Sequence, residues 1–363
     1  MELSPKFPLL KLPFLCIQEV FLNSDILDLI NISFASKRSH WLVKKIRTPL
    51  KCLDVEVKKT HVDIVFRFDK CIFDGGWCIS FDESNKDLRL TQFEGHPDRK
   101  SLDEPEMGID ISDRVQYYHF FSDEPMQSLK NGIAYFLDLF RIPLGAYYFT
   151  SLALEISKRP ESINVSKFQW LVIEMDTPME NDHLKNLIEK VTFTEVLLVL
   201  MKVNPDFYCD PIPLKTDKIS FSKGSCGWVT REFLFALEVN HIRLTFLDPA
   251  KVNANDFENF VDRWYQSNNT TFKMLAMNWT DTPDDIDLAR FNAIEWEEEP
   301  ERRSQFYLVN RGAKLDLSQG HDILRKDGLL ATVYKLGNTW VFCVWHDRFP
   351  NTEGLWECSE RWQ

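Results

Sequence analysis

The stretch from Phe7 to Arg47, FPLLKLPFLCIQEVFLNSDILDLINISFASKRSHWLVKKIR, constrains this chain most, because it carries more apolar side chain than so short a segment can hide. Its periodicity predicts three short helices. The first opens after Leu12-Pro13, where proline suits an initial turn, and carries Phe14, Ile17, Val20 and Phe21 at helical spacing, with Gln18, Glu19 and Asn23 opposite. Ser24 or Asp25 caps a second, crowded with Leu29, Ile30, Ile32, Phe34 and Ala35. Ser36 caps a third, with Leu42, Val43 and Ile46 on one stripe amid Lys37, Arg38, Lys44, Lys45 and Arg47. Some of these apolar side chains must pack into the rest of the chain or into a partner. A partner-docking reading fails if Ile17, Phe21 and Ile32 are all wholly enclosed by the body of this same chain.

The order Leu12-Pro13, then Ile17, Val20 and Phe21, then Asp25 through Arg38, then Leu42-Val43, resembles an F-box. The leading Phe7-Pro8-Leu9-Leu10-Lys11-Leu12-Pro13 is similar to the variant in the expanded F-box families of nematodes. The resemblance implies a three-helix module that docks onto the Skp-type adaptor of a cullin ubiquitin ligase. Leu12, Pro13, Ile17, Phe21, Leu29, Ile32 and Lys37 are expected to face that adaptor. Two other readings compete. A secretory leader fits poorly, since Glu2 precedes the apolar run, Pro8, Lys11 and Pro13 interrupt it and Gln18-Glu19 end it. An ordinary N-terminal core helix is the stronger rival.

The bulk composition suits a folded protein of two or three domains, and no apolar run approaches bilayer-crossing length. A formal net charge of -12 argues against a nucleic-acid partner, whose phosphates the field would repel. Residues 7–47 depart from that acidity, with six Lys or Arg against Glu19, Asp25 and Asp28. This basic island would suit an acidic partner, as Skp-type adaptors are; a solvated basic helix face explains it equally well. None of the eight cysteines sits in a C-x-x-C pair, which fits a reducing cytoplasmic or nuclear setting.

Beyond Thr48-Pro49 the pattern turns to strands. Leu53 to Val57 and Val62 to Phe68 alternate as two half-buried strands, Gly75-Gly76 turns into a strand over Trp77 to Phe81, and residues 88–123 read as loops with a short strand or two. A helix spans Met126 to Arg141, with Leu129, Ile133, Phe136, Leu137 and Phe140 on one face.

From Asn164 to Trp279 a strand–helix–strand order occurs twice. Trp170 to Met175, a helix with Leu184, Leu187, Ile188 and Val191, and Val196 to Met201 make the first copy. Ile242 to Phe246, a helix started by an Asn255/Glu258 capping box, and Met274 to Met277 make the second, with a strand at Ile219–Phe221 and a helix at Thr230–Leu237 between them. Strand starts every 22 to 32 residues predict parallel pairing through crossovers and overlap the leucine-rich-repeat period. A compact mixed α/β domain is the alternative. Residues Trp228–Leu234, His241–Leu244, Asn253–Trp264 and Met274–Met277 resemble the type 2 F-box-associated domain of the nematode family. The tail is β-rich, with its clearest hairpin at Leu329–Lys335 and Thr339–Trp345 across Gly337-Asn338, and Asp322 to Thr332 also resembles the C-terminal pattern of those proteins.

Chemistry is sparse. There is no Walker A motif and no G-x-G-x-x-G, and Gly224-Ser-Cys-Gly227 does not match a nucleophile elbow. Asp281 to Asp287 is carboxylate-dense but has Ile286 where a calcium loop needs glycine and Asn292 where it needs glutamate. Cys343 and His346 are three apart and would point to opposite faces of a strand. Cys71 and Cys78 have no histidine or further cysteine close in sequence to complete a ligand set, and Cys226 sits in an exposed-looking Gly-rich turn with no histidine partner. No metal, cofactor or catalytic residue is assigned.

The expected architecture is α/β: a three-helix F-box (7–47), a mixed connecting region (48–163), an irregular leucine-rich-repeat-like β/α domain (164–280) and a β-rich C-terminal region (281–363). The expected role is a non-enzymatic substrate-recognition subunit of a Skp/cullin/F-box ubiquitin ligase, with Arg243 and Thr245 beside the repeat strands as weak target contacts, no nucleic acid and no membrane. A repeat-like interaction protein without a ligase role, and an enzyme with a pocket invisible in sequence, are the alternatives.

Overall fold

A computed structural model describes residues 9–58, 61–68, 75–80, 91–92, 116–121, 125–149, 167–246, 251–280, 286–296, 302–310 and 312–358. Phe7-Pro8, most of the 88–123 stretch, Cys71, Asp281 to Asp285 and the acidic run beyond Trp296 lie outside them. The chain divides into two compact units, residues 1–97 with 110–168 and residues 98–109 with 169–363. Among the described residues, the fold is mixed α/β with seven α-helices.

The first unit opens with α1 (Phe14–Leu22), α2 (Ile26–Ala35) and α3 (Lys37–Lys45). Their boundaries follow local chemistry. Asp25 Oδ1 accepts the Leu27 N–H at 2.7 Å and Ser36 Oγ accepts the Ser39 N–H at 3.1 Å, which ties down two helix starts. The Arg38 guanidinium donates to the Leu10 carbonyl, so α3 also holds the entering turn.

The unit's sheet has the order β6-β1-β2-β3-β5-β4, where β1 is Leu50–Val57, β2 His61–Phe68, β3 Gly75–Ser80, β4 Thr91–Gln92, β5 Gln116–Phe121 and β6 Leu144–Phe149. The hairpin β1/β2 is antiparallel and β6 joins β1 in parallel after α4 (Pro125–Phe140). One sheet face carries Leu53, Val55, Ile64 and Phe66 beneath α4, with the Phe66 and Phe136 rings 5.3 Å apart. Alternation predicts that the other face meets solvent. It does not: Asp54, Glu56 and Asp63 are all buried. Those carboxylates tolerate burial because the Lys58 and Arg67 cations stand against them.

The second unit begins with β7 (Lys167–Glu174), α5 (Asn181–Lys190), β8 (Thr192–Leu200), β9 (Lys218–Ser222), α6 (Arg231–Ala236), β10 (His241–Phe246), α7 (Ala254–Gln266) and β11 (Met274–Trp279). Strands β8, β9, β10 and β11 lie side by side in chain order, each parallel to the next. The crossovers through α6 and α7 run the same way along the sheet, so the right-handed rule puts both helices on one face. The start of α7 departs from expectation: Asn253 and Asp256 form the capping box, at 3.2 and 3.0 Å. Asn255/Glu258 has the same spacing but sits two residues too far in. Glu258 instead accepts the Asp287 N–H at 2.9 Å.

The remaining strands are β12 (Ile294–Glu295), β13 (Phe306–Asn310), β14 (Ala313–Asp316), β15 (His321–Leu324), β16 (Leu330–Leu336), β17 (Thr339–Trp345) and β18 (Trp356–Glu357). Antiparallel β17, β16, β15 and β12 extend the sheet beyond β11, while β13, β14 and β18 form a second small sheet. The hairpin β16/β17 turns at Gly337 with φ of +54°, a conformation that glycine adopts without strain. Beneath it Arg303, fully enclosed, donates to Asp322 at 2.8 and 3.1 Å, and its guanidinium lies 5.3 Å from the Trp296 ring and 5.1 Å from the Trp345 ring. Thr332 Oγ1 donates to Asp322 at 2.7 Å and itself accepts from the Trp345 indole at 2.8 Å.

At the head of β10, burial depresses the His241 imidazole to about 4; Asp217 pulls it up from 3.7 Å, and Lys273 and Lys218 push it down. The unfolded chain takes up this proton near 6.5 and the folded chain only near 4, so stability should fall as pH drops through that window. Denaturant midpoints followed across the window check this. His241→Gln should flatten that part of the profile, and an unchanged slope would contradict it.

Candidate functional site

The three N-terminal helices split their apolar side chains between inside and outside. Ile17, Phe21, Ile26, Leu27, Leu29, Ile30, Leu42 and Val43 are buried. Phe14, Leu15, Val20, Leu22, Phe34 and Trp41 are exposed, Leu15 at 72%. Helix α1 is thus apolar on both sides, a pattern that a solvent-facing helix does not sustain without cover. Lys37, Arg38, Lys45 and Arg47 are exposed nearby in sequence, and the Lys45 ammonium lies 5.6 Å from the Trp41 ring.

This corrects three members of the expected adaptor-facing set. Ile17, Phe21 and Leu29 are 2%, 0% and 2% exposed, because each lies on the inward stripe of its helix. Leu12 and Ile32 are half-buried, while Pro13 and Lys37 are exposed. The helices are also fixed to their own unit. Tyr135 of α4 shares its hydroxyl with Ser33 Oγ at 2.6 Å and His40 Nδ1 at 3.2 Å, Phe34 stacks on its ring at 4.9 Å, and Lys44 pairs with Asp138.

A second constellation lies on the buried polar face of β1, β2 and β3. Cross-strand register sets Glu56 opposite Asp63 and Asp63 opposite Cys78. Two carboxylates directly opposite would repel. Lys58 relieves this, its Nζ 2.8 Å from Asp63 Oδ2 and 3.6 Å from Glu56 Oε2, and His61 Nε2 is 3.6 Å from Asp63 Oδ2. Burial alone would raise Asp63, but the hydrogen bond from His61 and the Lys58 charge bring it down to about 2. Burial and the Asp63 charge drive the Cys78 thiol far above its ordinary value. Farther along the face Arg67 pairs with Asp54, which also accepts the Ala146 N–H at 2.7 Å. Gly145 is required there: a Cβ would stand 2.5 Å from Asp54 Oδ1 and 2.6 Å from Cys52 Sγ.

Sequence proximity missed this cluster, since His61 and Cys78 become neighbours only through the β2/β3 register. The usable signal was the β1/β2 alternation itself, whose register makes Glu56 and Asp63 opposed acids. Other expectations also change. Thr245 is buried and Arg243 is half-buried, so Thr245 offers no target surface. Cys226 is fully buried, its thiol donating to the Phe221 carbonyl at 3.2 Å, and is not an exposed turn cysteine. Cys343 is enclosed in β17, while His346 lies past the strand end with Nε2 2.8 Å from the Phe272 carbonyl oxygen.

Fold and site define a mixed α/β chain with an outward apolar and basic helical face. The chain is 23% identical to one uncharacterized protein of Caenorhabditis elegans over 97% of its own length and 81% of the relative's, and 22% identical to a second over 96% and 81%. No family model and no solved structure matches it. Among the described residues, no helix is long and apolar enough to cross a membrane.

Proposed function

We propose that this chain is a substrate-recognition subunit of a Skp/cullin/F-box ubiquitin ligase, working in the cytoplasm or nucleus. In this reading residues 7–47 are an F-box holding the Skp-type adaptor and, through it, a cullin. The later strands and helices are a type 2 F-box-associated, leucine-rich-repeat-like domain holding a protein target. The chain itself performs no catalysis; it raises the effective concentration of target beside the transferring subunits.

One observation carries the reading: six of the large exposed apolar side chains, Phe14, Leu15, Val20, Leu22, Phe34 and Trp41, fall within the first three helices, beside exposed cations on an acidic chain. Exposed apolar area with basic residues beside it suits an acidic partner. The adaptor-facing set is accordingly Leu12, Pro13, Ile32 and Lys37 with Leu15, Val20 and Trp41. Capture of the full chain by immobilised purified Skp-type adaptor tests this, and absence of capture would overturn it.

A second reading, an interaction module without a ligase role, draws on the Tyr135 contacts that bind α2 and α3 to their own unit. There the helices complete the first unit's core and the exposed face meets some other protein. The same capture experiment separates the two.

A further inference from the structure

We propose that His61, Asp63 and Cys78 form a binding site for one zinc-class divalent metal ion on the buried face of β2 and β3. The inference does not depend on the ligase reading. Residues two apart on a strand share a face, so His61 and Asp63 point the same way, and register brings Cys78 directly across from Asp63. One ligand atom from each lies within 4.8 Å of the other two. A tetrahedral zinc ion with bonds of about 2.0 to 2.3 Å separates its ligand atoms by roughly 3.3 to 3.7 Å, so side-chain rotations of about 1 Å close the set. His61 Nε2 and Asp63 Oδ2 already stand 3.6 Å apart. A thiol, an imidazole and a carboxylate together favour zinc or cobalt over the all-oxygen preference of calcium and magnesium.

Charge points the same way. Glu56 and Asp63 oppose each other in the register and the Lys58 ammonium lies against both, so a tethered cation already neutralises one of the three ligands and its acidic neighbour. Lys58 is partly exposed at the end of its strand, and its stem lets the ammonium swing to solvent when a metal takes over its role. Glu56 or water then supplies the fourth ligand. On binding, the Cys78 S–H bond breaks, the metal–sulfur bond forms and the proton leaves to solvent; nothing is oxidised or reduced.

Cobalt(II) titration of the full-length protein tests this, because a thiolate-bound tetrahedral cobalt shows both a sulfur charge-transfer band and visible d–d bands. The expected result is saturation at one equivalent, displacement by zinc, and loss of the charge-transfer band in Cys78→Ser. His61→Ala should weaken binding by roughly tenfold or more. Lys58→Met keeps every ligand and removes the competing ammonium, so it should bind more tightly, and it carries the test if Cys78→Ser does not fold. No cobalt bands on the folded protein, a band retained in Cys78→Ser, or binding no tighter in Lys58→Met would overturn the site.

Discussion

Replacing Asp322 by alanine should lower the stability of the second unit by about 3–5 kcal/mol, because it leaves a buried guanidinium without its counter-ion. Arg303 and Asp322 are both 0% exposed as side chains, and Arg302 adds a contact to the same carboxylate at 3.3 Å. The Arg303 charge cannot reach water, and its two tryptophan neighbours supply only partial compensation. Thr332 would lose its acceptor as well, which loosens the Trp345 indole bonded to it. Denaturant unfolding of the full chain, followed by tryptophan emission, measures the loss. A change below about 1 kcal/mol, the scale of a surface ion pair, would contradict this account of the buried pair.

Phe21→Ala should cost about 3–5 kcal/mol in the first unit, as truncation of an enclosed aromatic ring does. Phe21 is 0% exposed, packed on the inward stripe of α1 with Ile17. Leu15→Ala, on the same helix but 72% exposed, should change stability by no more than about 0.5 kcal/mol. The pair of variants separates a core role from a docking role. If Phe21→Ala unfolded at the wild-type midpoint, the inward stripe would be misassigned and Phe21 would return to the docking face.

Much of the fold was legible because apolar spacing reports local geometry directly. Leu184, Leu187 and Ile188 are the buried stripe of α5, Ile242 and Leu244 are buried in β10, and Gly337-Asn338 is the turn between β16 and β17. Spacing does not report what lies above a strand. Asp54, Glu56 and Asp63 alternate with valines as a solvent-facing edge would, yet they are buried. The deciding information was the charge of residues brought close by register, Lys58, His61 and Arg67, which no single-strand pattern contains.

The site was legible in part for the same reason. Periodicity identified an apolar excess over α1 to α3, and the excess is real, divided between a buried stripe and an exposed one. Motif positions do not say which stripe is which. Ile17, Phe21 and Leu29 match the resemblance and point inward, whereas Leu15 and Trp41, outside the expected set, are more than half exposed. Helix orientation is set by α4, through Tyr135, and α4 lies about a hundred residues downstream, beyond the reach of any local pattern.

The most direct measurement of the docking claim is the equilibrium affinity of the full chain for purified Skp-type adaptor, wild type against the double variant Leu15→Asp, Trp41→Ala. Both positions are on the surface, so the variant should keep its far-UV spectrum and unfolding midpoint. The account predicts saturable binding by the wild type and a loss of roughly tenfold or more, about 1.4 kcal/mol, in the variant. Equal affinities for the two proteins, or no binding by either, would contradict it.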